Sequence, residues 1–315
     1  MIITEINNIW EKHKGFKDKL RLWLEQINLT QQRATEMKQY FHQWRPLSAY
    51  VRAGNGAGKD IFSFSLRFLG QEVASLIVRE SKVYLKISDK TALTNNRFFQ
   101  NLTISAGTYE WRGKEAQYFR RYFQGVVKKG VFSLHSPEHM IESCIIKEMF
   151  RKSRIKFAGT FSGIQPVTLS GFPLQFPLPI SGSSGIPKAS NGHIDILARR
   201  RAGRVCLSVW ELKAPGRYQK TLREVAIYSA TVLKMLRDPD LGQKWYKVFG
   251  FSGKIPASLC IEAVVAVTGD QRKKVEKEIE NCDLPRRIGN DSIQYSAAYY
   301  DKDTMKITFE KICES

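Results

Sequence analysis

The chain has 315 residues, with 50 Lys and Arg against 30 Asp and Glu and a formal net charge of +20. That length suffices for a buried core and two domains, and so large a positive excess points to phosphate-bearing partners. Five widely spaced cysteines without a C-x-x-C pair argue against a disulfide framework or a thiolate zinc site, so a reduced, cytoplasmic chain is expected. The opening MIITEINNIWEKHK lacks the apolar core of a secretory signal.

In chain order, residues 4–28 carry apolar positions at helical spacing, interrupted at Gly15, and predict one long or kinked helix. Thr30 is expected to cap a second helix that ends near Trp44, before Pro46. From Ala49 to Ser88 the runs FSFSLRFLG, EVASLIVRE and KVYLKIS predict a β-meander. Residues 92–122 predict a short helix, a strand over 108–111 and a helix carrying Tyr118–Phe123. In that last stretch aromatics interleave with Arg120 and Arg121, a pattern that suits either base stacking or an ordinary core helix. An α+β accessory domain is thus expected over 1–130, and a second domain over 131–315.

Ser136-Pro137-Glu138 is a helix start, and the helix should run to about Lys152. Arg151 and Lys152 belong to a basic cluster that could meet a phosphate backbone or face water. The uncharged stretch 157–187 is long enough to cross a membrane, but its prolines and glycines exclude a spanning helix, and no membrane partner is expected. It predicts a strand near Phe172–Ile180 set in loops.

The stretch GHIDILARRRAGRVCLSVWELKAPG, from Gly192 to Gly216, joins two strand-like runs through an arginine-rich turn, which predicts an antiparallel hairpin. Alternation places Glu211 and Lys213 on one face with Leu207 and Val209. The opposite face carries Cys206, Trp210 and Leu212, so the second strand reads as covered on both sides. Charge there is costly unless paired, and the hairpin would bring Asp195 within reach of a cation shared with Glu211. The competing expectation is a buried ion-pair network, although such networks are poor stabilisers. Beyond the hairpin, a helix follows Gly216 with Glu224 and Tyr228 four apart on one face. A buried strand is expected over 258–268, a charged helix over 270–281, and a closing hairpin over 292–300 and 304–311.

The pattern of Gly192 and Asp195, a hairpin, then Glu211-x-Lys213 resembles the catalytic hairpin of the PD-(D/E)XK nuclease superfamily, with Ile194 where that pattern has proline. The resemblance covers roughly the last 180 residues. It implies a restriction-endonuclease-like fold, a mixed sheet flanked by helices, and a Mg²⁺-dependent nuclease, with Mn²⁺ as a substitute ion. Asp195 and Glu211 would hold the metal with the Leu212 carbonyl, Lys213 would stabilise developing charge, and a helical glutamate, Glu142, would complete the site. Glu224 and Tyr228 resemble the Gln-x-x-x-Tyr helix of the RecB-like branch, with Glu in place of Gln, or form a plain surface pair. His193 is a candidate to orient substrate, with an ordinary strand histidine as the alternative. Arg199, Arg200, Arg201 and Arg204 would reach phosphates. The expected substrate is DNA before RNA, with a homodimer possible. A nucleic-acid-binding protein that keeps the fold without catalysis is the alternative.

Overall fold

The computed structural model describes residues 1–13, 15–41, 44–53, 62–129, 137–152, 163–202, 204–215, 218, 220–301 and 307–311. These residues form two compact units, each discontinuous in sequence. The first combines residues 26–143 with 168–174, and the second combines 1–25, 144–167 and 175–315. The boundary expected at residue 130 lies outside the described residues. The division itself is less simple than expected, because the N-terminal 25 residues belong with the C-terminal unit.

The chain opens with α1 (Ile2–Lys12) and α2 (Phe16–Met37), followed by a 3-10 turn at Lys38–Tyr40. Gly15 separates the helices with φ of +79°, a conformation that costs glycine little. Thr30 does not cap a new helix. It lies inside α2, where the buried stripe Leu20, Leu24, Ile27 and Ala34 carries the helix onward, and its hydroxyl donates to the Ala53 carbonyl at 3.0 Å. Continuous burial of one face outweighs a local capping preference.

The meander follows as β1 (Leu47–Tyr50), β2 (Ser63–Phe68), β3 (Gln71–Arg79) and β4 (Lys82–Ile87). Then come α3 (Asp89–Phe98), capped by the Ser88 hydroxyl, β5 (Gly107–Glu110) and α4 (Lys114–Lys129). The five strands form one antiparallel sheet in sequence order. Phe68 of β2 packs against Phe99 and Phe123, and Phe119 completes that aromatic cluster. The interleaved stretch of α4 is therefore chiefly a core helix, with Phe119 and Phe123 inside and Tyr118 out.

The helix α5 (Pro137–Lys152) starts where expected, although Ser136 lies outside the described residues. After it come four short strands, β6 (Ile164–Pro166), β7 (Thr168–Leu169), β8 (Phe172–Pro173) and β9 (Phe176–Leu178). The hairpin region supplies β10 (Gly192–Ile194), β11 (Ile196–Ala202) and β12 (Arg204–Leu212). The chain continues with α6 (Thr221–Leu236), a short α7 (Gly242–Val248) not foreseen from the sequence, and β13 (Cys260–Thr268). A 3-10 turn at Gly269–Gln271 leads into α8 (Arg272–Asn281), β14 (Arg287–Ile288), β15 (Asp291–Tyr300) and β16 (Ile307–Lys311).

The second unit is built on a seven-stranded mixed sheet in the order β14-β15-β13-β12-β11-β6, with β16 also paired to β15. β11 and β12 are antiparallel, as the hairpin predicts, whereas β12 runs parallel to β13 and β13 parallel to β15. A parallel neighbour needs a crossover, and α6 with α7 supplies the one from β12 to β13. Every residue of β13 is buried, as expected for a strand covered on both faces. The architecture is mixed α/β. No described helix is long and apolar enough to cross a membrane.

On the sheet face away from Glu211, the charge of Glu262 is fully engaged. Its carboxylate pairs with Arg200 and accepts from Ser208 Oγ at 2.8 Å and Ser296 Oγ at 3.1 Å, while Trp210 Nε1 donates to Ser208 Oγ at 2.8 Å. The network ties β11, β12, β13 and β15 together through side chains.

Candidate functional site

Strand β10 pairs with β9, Gly192 standing opposite Leu178, and the chain then bends at Asp195 before entering β11. The glycine has a steric reason. A Cβ at position 192 would lie 2.4 Å from the Ile180 carbonyl oxygen and 3.1 Å from the Tyr228 ring, so only a bare backbone passes between them.

Strand β11 pairs Ile196 with Trp210, and one further step of that register sets Asp195 opposite Glu211. Residues opposite one another share a face of the sheet. The Leu212 N–H donates to Asp195 Oδ2 at 2.8 Å, which orients the Asp195 carboxylate along the end of β12. In a strand, a residue's N–H and C=O point to the same side, so the Leu212 carbonyl is directed toward β10 and β11 as well. The Lys213 N–H points the other way, to the Ala266 carbonyl at 3.1 Å.

The face carrying Glu211 is covered by α6. There the Lys213 ammonium bridges two carboxylates, 2.5 Å from Glu211 Oε1 and 2.9 Å from Glu224 Oε2. The Tyr228 hydroxyl donates to the other Glu224 oxygen at 3.1 Å, and the Tyr300 hydroxyl donates to the Lys213 carbonyl at 2.7 Å. Glu211 and Glu224 are each only 4% exposed. Glu224 and Tyr228 are therefore a buried pair, one turn apart, and not a surface one.

Three acidic side chains and one lysine share this space, and the electrostatics follow. Burial, with Asp195 next in weight and Glu224 beyond it, pushes the Glu211 carboxyl well above the usual carboxylate range, against the pull of Lys213. Burial opposes the Lys213 charge, but Glu211 and Glu224 together outweigh it and raise the lysine. Burial and the same two carboxylates raise the Tyr228 phenol, which stays a proton donor. Glu211 Oε2 is buried and has no hydrogen-bond partner. A buried carboxylate oxygen in that condition is costly unless a proton or a cation completes it.

The other candidates are distributed differently. Glu142 is buried in the N-terminal unit, where its ion-pair partner is Arg67 at 4.0 Å; the helical glutamate that meets Lys213 is Glu224. His193 is exposed opposite Pro177 on β10. Arg199 donates to the Gly250 carbonyl and to Gln165 Oε1 at 2.9 Å, and Arg200 pairs with Glu262. Both are committed to partners in the protein, whereas Arg201 is exposed. Arg151 is exposed and pairs with Glu148 at 2.9 Å. The side chains of Arg204 and Lys152 lie outside the described residues.

Two contributors had not been foreseen. Tyr300 is the last residue of β15, and its only sequence signal is that position. Gly182 lies so close to α6 that a Cβ would meet the Glu224 carbonyl oxygen and Ile227 Cβ, each at 3.2 Å.

Among the described residues, no group of three or more His, Cys, Asp or Glu side chains could hold a metal ion. Two carboxylates and a backbone carbonyl suit Mg²⁺, which keeps several waters and uses few protein ligands. The uncompleted Glu211 Oε2 beside Asp195 fits such an ion. The described cysteines, Cys144, Cys206, Cys260 and Cys282, are free thiols.

No family model, no curated protein and no solved structure matches this chain.

Proposed function

We propose that the protein is a Mg²⁺-dependent nuclease of restriction-endonuclease-like fold that hydrolyses phosphodiester bonds of DNA, as an endonuclease. The observation that carries the reading is the buried Glu211 Oε2, without a hydrogen-bond donor, opposite Asp195 and two residues from Lys213. Asp195 and Glu211, with the Leu212 carbonyl, would hold the ion, and Mn²⁺ would substitute. When bound, Mg²⁺ supplies charge neutralisation at the phosphate and acidifies a water.

This chain's residues do the rest. The Leu212 N–H fixes the Asp195 carboxylate. Lys213, held protonated by Glu211 and Glu224, offers an ammonium to the charge that develops on the phosphoryl oxygens. Tyr228 holds Glu224, and Tyr300 holds the Lys213 backbone. Phosphate contact by the exposed Arg201 suits a polyanionic substrate. Glu224 takes the helical-glutamate position first expected of Glu142, and its partner in this reading is the lysine.

The test is a nicking assay on supercoiled plasmid, single-stranded DNA and RNA, in Mg²⁺ or EDTA, with wild type, Lys213→Ala and Glu211→Ala. The expected outcome is metal-dependent cleavage of DNA that falls about 100-fold or more in either variant. Binding without cleavage of any substrate would instead identify a nucleic-acid-binding protein that keeps the fold.

A further inference from the structure

We infer that the N-terminal unit carries a second nucleic-acid contact, a stacking platform for single-stranded bases built on Trp44 and edged by α4. Arg120 of α4 is only 6% exposed, yet its guanidinium lies over two indoles, 4.1 Å from the Trp111 ring centroid and 5.0 Å from that of Trp44. One of its nitrogens also donates to the Trp111 carbonyl at 2.5 Å. The cation thus holds Trp44 from one side, while 42% of that residue remains exposed. Tryptophan is usually well buried, and Tyr40 nearby in sequence is 39% exposed. An indole held in place and open to solvent offers a flat surface at little entropic cost.

The rim is basic. Gln124 of α4 donates to the Arg45 carbonyl at 3.4 Å, so that face of the helix runs beside the segment bearing Trp44. Arg121 and Lys128 stand three before and four after Gln124, on the same face, and both are exposed, as is Arg45. Residues 26–143 carry 17 Lys and Arg against 9 Asp and Glu. A basic edge alone attracts any polyanion, but an open indole adds a demand for an unpaired aromatic ring. Single-stranded nucleic acid meets both, since its bases are free to leave the stack and its backbone supplies phosphates. None of these residues belongs to the Asp195–Glu211–Lys213 cluster, so this contact stands or falls apart from the nuclease reading.

The test measures binding of end-labelled oligothymidylate and of a duplex of equal length to the full chain in EDTA, by fluorescence anisotropy over a salt series. Trp44→Ala is expected to weaken single-strand binding about tenfold while duplex binding changes little, and Trp44→Phe to keep most of it. The double variant Arg121→Ala, Lys128→Ala should flatten the salt dependence by a slope of about 1.4, two phosphate contacts' worth. That variant keeps the proposal open to refutation should Trp44→Ala fail to fold. Wild-type affinity in Trp44→Ala, equal loss on both nucleic acids, or an unchanged slope in the double variant would overturn it. So would displacement by polyglutamate as effective as by unlabelled oligonucleotide, which would identify an acidic protein surface as the partner.

Discussion

Glu224 Oε2 accepts from the Lys213 ammonium at 2.9 Å, so a helix that follows the hairpin in sequence supplies a second carboxylate to the lysine at its end. Had Lys213 only Glu211 to pair with, it would compete with any cation for that carboxylate. With Glu224 present, the ammonium has a counter-charge that does not belong to the proposed metal ligands.

Removal of Glu224 should therefore raise the Mg²⁺ requirement. In Glu224→Ala the lysine is left to Glu211 alone, and the Mg²⁺ concentration for half-maximal cleavage should rise about tenfold, about 1.4 kcal/mol of lost cation affinity. Glu224→Gln, which keeps one acceptor oxygen in that space without the charge, should fall between. A Mg²⁺ titration of nicking rates checks this, and equal requirements in all three proteins would remove Glu224 from the site.

The pH dependence of stability without divalent ions should carry the mark of Glu211. Its folded-state pKa lies above the unfolded value, so between the two the folded chain holds a proton that the unfolded chain has lost. Stability should then fall as pH rises from the ordinary carboxylate range, near 4.5, through the raised value. Glu211→Gln should flatten that fall. Mg²⁺, by binding the ionised form, should restore stability at the upper end. Thermal melts across pH 4 to 9, with and without Mg²⁺, read all three.

Gly192→Ala should destabilise the β9–β10 pairing and displace Tyr228. The added methyl meets the Ile180 carbonyl oxygen, which is backbone and cannot swing away. A cost of about 1–3 kcal/mol is expected, measured by urea unfolding. Gly171→Ala, where nothing lies within 4 Å but φ is +91°, separates backbone strain from collision.

The arginines of β11 should divide by role. Arg200→Ala leaves Glu262 buried without its cation and should cost about 3–5 kcal/mol. Arg201→Ala, on an exposed side chain, should leave stability within about 0.5 kcal/mol of wild type. It should weaken duplex binding and lower the salt slope by about 0.9. Unfolding curves and a salt series of binding affinities distinguish the two.

Much of the fold was legible in the residues. Alternation over Ser63–Phe68, Gln71–Arg79 and Lys82–Ile87 marked the meander, and two strand runs about an arginine turn marked the hairpin, because local periodicity reports which face is buried. Thr30 misled because its capping preference is local, while the stripe that keeps α2 helical is set by what packs upon it. Arg199 and Arg200 looked like phosphate ligands because a run of arginines carries no sign of Gln165, Gly250 or Glu262, which lie 34, 51 and 62 residues away.

The sequence by itself determined the spacing of Asp195, Glu211 and Lys213 and the face that the last two share, since the two-residue period of a strand dictates this wherever the strand lies. Only the tertiary structure decided that Asp195 stands opposite Glu211, that Glu224 meets Lys213 while Glu142 pairs with Arg67, and that Gly192 and Gly182 leave room for it. Those relations depend on cross-strand register and on where α6 settles against the sheet, and long-range packing fixes both. No short stretch of chain encodes them.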